Sequence, residues 1–188
     1  MKPPQKLEQD EFKLSAGRPE PKSPLITEFV DYWLDLVRDG QLASRSDIDP
    51  MAIPGCLPHV WIYRAQPRLG LYQCELSGEA INTAWGQNIK GYNSLELFGH
   101  EGNGIVARRW RFLLENNVYA YSRFLGSYHA KSSERIAAPF LDEEGNANII
   151  FGITIYDYLP ELDILKSVSY QSAGFRYFSP FADSRNMI

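Results

Sequence analysis

The sequence predicts an α+β domain: an antiparallel sheet with helices cupped over one face and a flanking helix in front. Three observations carry that reading. Five runs of strand character fall into two groups, within residues 60–77 and 118–158. A helical segment, residues 78–117, separates them. Ahead of the first strand, Ile26, Phe29, Val30, Trp33, Leu34 and Val37 recur at spacings of three and four, which is one apolar face of a helix.

The bulk numbers suit such a domain. The 188 residues suffice for one substantial core, and 44% hydrophobic with 22% charged residues is ordinary globular composition. A net charge of −4 offers no general field for a phosphate backbone, so a nucleic-acid partner is not expected. No window approaches the ~18 apolar residues of a membrane span. The N-terminus has no apolar signal core, so the cytoplasm is the expected compartment. Cys56 and Cys74 lack paired spacing and fit reduced thiols better than a disulfide or a zinc site.

Residues 1–22 are polar and proline-rich, and predict a flexible tail. Ser23 is placed as a helix N-cap with Pro24 at the first helical position, and the helix runs over 24–39 to a stop at Gly40. The stretch "SRSDIDPMAIPGCLPHVWIYR" follows, with prolines at 50, 54 and 58. Each proline interrupts helical bonding or favours extension before it, so this is a stiff connector into a strand at 60–65. "QPRLG" turns the chain into a second strand, 71–77. Residues 78–85 form a short helix ended by Gly86, "NSLELF" is another helical piece, and 103–117 is a longer helix. Three strands then cover 118–128, 132–141 and 148–158, the last two joined by the turn "DEEGN". Residues 160–188 form an extension in which "DILKSVSY" could be a short helix and "FRYFSPF" a surface aromatic segment.

Several of these stretches resemble a PAS domain, specifically the divergent PAS family common in proteobacterial proteins and often found alone. "YWLDLVRDGQLASRSDIDP" is similar to that family's leading helix and connector, and "LPHVWIYR" to its first strand. "YQCELSGEAINTAWGQNIKGYNSLELF" resembles its second strand and glycine-punctuated helices, and "ERIAAPFLDEEGNANIIFGITI" its final hairpin. The resemblance spans residues 29–158, inside a domain bounded at 23–159. It implies a five-stranded antiparallel sheet, a pocket under the helices, and a sensory or protein-interaction role. It also implies dimerisation through the flanking helix, so Phe29, Trp33 and Val37 are the expected homodimer contacts. No recognisable output module follows, which leaves the downstream protein partner open.

The candidate chemistry is then weighed residue by residue. His59, His100 and His129 stand singly, and each reads as structural and not as a metal ligand. Haem-binding PAS domains take their histidine from the long helix, and 103–117 contains none. Covalent flavin sensors carry a cysteine at the start of that helix, whereas Cys56 is in the connector and Cys74 in a strand. Neither haem nor covalent flavin is expected. Asp47 and Asp49 read as caps of the proline-rich turn, and "ARRWRF" as a solvated basic face. The aromatics are the richest signal. On strand alternation, Phe151, Ile153 and Ile155 share one side, and Gly152, Thr154 and Tyr156 the other. The first set is taken to face the pocket. The expected ligand site is therefore Trp85, Trp110, Tyr121, Ile136, Ile153 and Ile155, suited to a small, mostly apolar or aromatic molecule. The resulting reading is a non-enzymatic, cytoplasmic sensory module. Its rivals are an interaction or dimerisation module with a filled core, and a small cup-shaped enzyme.

Overall fold

In the computed structural model, residues 12–38, 40–127, 130–157 and 171–181 are described. The strands are β1 (Leu14–Ser15), β2 (Val60–Gln66), β3 (Leu71–Ser77), β4 (Tyr119–Ser127), β5 (Ala130–Leu141), β6 (Ala147–Asp157) and β7 (Gln171–Phe178). The helices are α1 (Pro24–Leu36), α2 (Glu79–Trp85) and α3 (Ser94–Asn116). All seven strands join one sheet in the order β1-β7-β4-β5-β6-β2-β3. The five expected strands form a contiguous antiparallel run, β4-β5-β6-β2-β3, with β3 at the sheet edge. Two strands were not expected. β7 pairs antiparallel with β4, and β1 pairs parallel with β7.

Those two strands revise the expected ends of the domain. Tyr177 and Phe178 of "FRYFSPF" are buried core residues, not a surface segment. Part of the expected tail is ordered onto the domain. Leu14 and Ser15 pair with Tyr177 and Phe178, and the Phe12 ring lies 5.1 Å from Phe112. "DILKSVSY" lies outside the described residues.

The sheet is covered on both faces, not one. On the outer face, Ile26, Phe29, Val30 and Trp33 of α1 bury themselves against Ile62, Ile136, Phe140, Phe151 and Ile153. Phe29 meets Phe151 edge-on at 4.9 Å, and Trp33 donates its indole N–H to the Pro139 carbonyl at 3.3 Å. Phe29 and Trp33 are 0% and 1% exposed. The proposed dimer contacts are thus used up within the chain, because the protein's own sheet covers the apolar stripe. Val37 is half-buried against the same cluster.

Between α1 and β2 the connector winds as three 3-10 turns, Arg45–Asp47, Pro50–Ala52 and Pro54–His59. The aspartates cap these turns. Asp47 accepts from the Ser44 N–H (2.8 Å) and Asp49 from the Met51 N–H (2.9 Å). Arg45 reaches out of the connector to pair with Glu75 on β3. Ile53 and Cys56 anchor the connector in the outer core.

On the inner face, α2 and α3 pack over β2, β3 and the middle strands. The expected pieces "NSLELF" and 103–117 belong to one element, α3, broken at Gly99, which is in the left-handed region (φ 68°). Asn93 caps its start, accepting from the Leu95 and Glu96 N–H groups at 3.0 Å.

Candidate functional site: an aromatic recess under the helices

The inner face owes its shape to one row of residues across the sheet. Trp61 is paired with Gly152, Gly152 with Ala137, Ala137 with Ala120, and Ala120 with Tyr177. Three small residues thus lie between two large rings. A Cβ on Gly152 would sit 2.5 Å from Trp61 Cζ2 and would also strike the Ile136 carbonyl, so only glycine lets the indole lie flat on β6. Trp110 of α3 stacks above that indole, ring centres 5.7 Å apart and planes 21° apart. Tyr63 and Tyr72 close on Trp110 at 4.8 and 5.0 Å.

A second pair of rings stands opposite. Trp85 ends α2 and meets Phe98, in the first part of α3, edge-on at 5.5 Å. Each is followed at once by a left-handed glycine, Gly86 (φ 67°) and Gly99 (φ 68°). Both rings therefore sit where a helical segment stops. Between the two aromatic groups lies a recess of about 280 Å³, open solvent included, of which about 20 Å³ admits the centre of a water molecule. That is room for about one water as the rings stand.

One end of the recess is polar. Thr154, fully buried, accepts at Oγ1 from the Trp61 indole N–H (2.9 Å) and from Arg135 Nε (3.0 Å). The Arg135 guanidinium lies 5.8 Å from the Trp61 ring centre, and Tyr156 completes this end. Burial pushes the Tyr63 hydroxyl far above its ordinary pKa, with the Cys74 thiol beside it adding to the shift. Tyr63 is therefore a neutral wall of the site. Burial likewise holds the Cys56 and Cys74 thiols up at about 11, so neither is an activated nucleophile.

The structure divides the expected site residues. Trp85 and Trp110 line the recess together. Tyr121, Ile136, Ile153 and Ile155 do not; they belong to the outer core beside α1. The strand faces are the reverse of those expected, and Gly152, Thr154 and Tyr156 point inward. The reason is that β6 is buried on both faces, so "NIIFGITIY" is apolar on both and alternation alone carries no direction. Tyr121 has its polar partner within the protein, donating to Glu134 Oε1 at 2.6 Å. Trp61, Tyr63, Phe98, Arg135 and Thr154 were missed. Gly152 was a usable signal, because a glycine in a central strand marks a close approach, here by Trp61.

The histidines stand apart. His59 is half-buried at the end of the connector, its Nδ1 without a hydrogen-bond partner among the described residues. The long helix, extended to Ser94–Asn116, does contain a histidine, contrary to the expectation drawn from 103–117, but that residue, His100, is exposed; His129 lies outside the described residues. Among the described residues, no three of His, Cys, Asp and Glu gather as a metal site. None of the described helices is long and apolar enough to cross a membrane.

Comparison with known proteins finds one family. The model described as PAS domain matches residues 21–155. No curated protein matches the chain.

Proposed function

This chain belongs to the PAS-domain family, generally sensory and signalling modules, and on that premise we propose that it binds a small, mostly apolar or aromatic organic molecule and passes a conformational signal to a protein partner. The observation that carries the reading is the recess between the Trp61–Trp110 stack and the Trp85–Phe98 pair. Aromatic walls with a few placed polar groups suit such a ligand. The bound molecule displaces Trp85 and Phe98, and the shift reaches α2 and α3, since a ligand can bias only states it contacts differently. The reading includes no catalysis. Haem and covalent flavin form no part of the reading.

The same small volume favours a second reading, an interaction module whose core is filled. Native mass spectrometry of the full chain, with thermal shifts across a panel of aromatic metabolites, separates the two. The sensory reading expects a retained mass or a stabilising ligand, and tighter binding in Trp85→Ala, which widens the recess. Failure of wild type and Trp85→Ala to bind any member overturns the sensory reading and favours the second. A dimer through the apolar stripe of α1 forms no part of either, because that stripe is buried.

A further inference from the structure

We propose that the recess selects an anion: a small planar carboxylate whose ring enters between the aromatic groups and whose carboxylate meets Arg135. The inference rests on the sensory reading and adds the chemical class of the ligand. Arg135 projects from β5 into an aromatic surround and is half-buried. Its Nε is fixed by Thr154 Oγ1 at 3.0 Å, which leaves the terminal nitrogens to other acceptors. Among the described residues, no carboxylate lies within salt-bridge distance of it. Glu134, its neighbour in sequence, is on the other face and bonded to Lys22, Ser23 and Tyr121.

A partly desolvated guanidinium that no described carboxylate faces is costly, and a carboxylate answers it with two parallel bonds. Thr154 holds the fork in a fixed orientation, as a directional anion contact requires. The ring of the ligand supplies the apolar part, lying against the Trp61–Trp110 stack in the space that Trp85 and Phe98 vacate. Entry needs Trp85 and Phe98 to swing outward, and Gly86 and Gly99 place a permissive backbone position directly beyond each. A neutral amide of the same shape fills the recess equally well but cannot neutralise Arg135.

The test compares matched acids and amides on the full chain: benzoate with benzamide, and indole-3-acetate with indole-3-acetamide, by calorimetry and tryptophan fluorescence. At least one acid should bind about ten-fold or more tighter than its amide, and added salt should weaken the acid alone. Arg135→Gln should remove that preference while the amide affinity stays; circular dichroism checks that the variant folds. The acid–amide comparison on wild type stands even if the variant does not fold. Equal binding of acids and amides overturns the anion proposal and leaves the sensory reading intact. Absence of binding by all four up to about 10 mM, in wild type and in Trp85→Ala, overturns this proposal. The sensory reading falls as well only if the metabolite panel also fails.

Discussion

Glu134 and Arg135 are consecutive on β5 and serve opposite faces of the sheet. The Glu134 carboxylate accepts from the Lys22 and Ser23 backbone N–H groups at 2.7 and 2.8 Å and from the Tyr121 hydroxyl at 2.6 Å. Arg135 lies in the recess beside Thr154. One peptide unit thus joins the polar end of the recess to the N-terminus of α1, which begins at Pro24. Ser23 stands at the N-cap but makes no side-chain cap bond. The anion at this helix start comes from across the domain instead.

Glu134→Gln should therefore loosen α1. The amide must turn an NH2 group toward a donor, so charge-assisted bonds are lost and one donor goes unmatched. We expect a loss of about 2 kcal/mol in urea unfolding, and faster amide exchange in α1. Tyr121→Phe removes a single donor and should cost about 1 kcal/mol. An unchanged urea midpoint in Glu134→Gln would show that the carboxylate does not secure the helix.

Gly152 offers a sharper test of how the recess is built. Gly152→Ala places a methyl against the Ile136 carbonyl and the Trp61 ring. Neither neighbour is a free side-chain end, so the variant should lose about 2 kcal/mol or more and its indole fluorescence should shift. Gly104→Ala is the control. It lies in α3, where an added Cβ meets nothing within 4 Å, and should be stabilising by about 0.5–1 kcal/mol. Equal tolerance of the two substitutions would mean that Trp61 does not depend on the missing side chain.

What was legible in the chain follows from which signals are local. The leading helix, the first hairpin and the Gly86 stop were marked by residues that act on their own backbone, and each lies within a few residues of its expected place. The inner and outer faces were not legible, because that distinction is global. Trp85 and Trp110 could be placed in the recess because a helix under a one-sided stripe has only one way to face. Ile153 and Thr154 could not be ordered, since both sides of β6 are buried. β7 was missed for a different reason: its paired residues on β4 lie 46 to 59 positions earlier in the chain, from Leu125–Gln171 to Tyr119–Phe178, so no hairpin turn announces the pairing.

The buried stripe of α1 predicts the outcome of charging it. Phe29 and Trp33 contact Phe151 and Tyr119, at 4.9 and 5.2 Å between ring centres. Removing such a ring typically costs about 3–5 kcal/mol, and burying an unpaired carboxylate in its place adds to that. Phe29→Glu with Trp33→Glu should give an unfolded or aggregating chain by circular dichroism. A well-folded monomer from that variant would mean that α1 normally leaves the sheet to meet a second copy.

His59 makes the stability of the connector depend on pH, with a definite sign. Burial holds its pKa below the ordinary 6.5, and the Thr154 carbonyl only partly opposes this. Its Nδ1 has no acceptor among the described residues to receive a proton's hydrogen bond. The unfolded chain keeps the ordinary value. As pH falls through 6.5, the unfolded chain therefore takes up a proton that the folded chain resists, and stability declines. The decline is complete once the pH is below the folded value. Urea midpoints measured between about pH 8 and pH 5 should fall further for wild type than for His59→Gln, which cannot titrate. Parallel curves would show that the imidazole carries its proton equally well in both states. Added zinc should leave both curves unmoved, because His59 serves as the end of a stiff scaffold; a zinc-dependent rise lost in His59→Gln would make it a ligand instead.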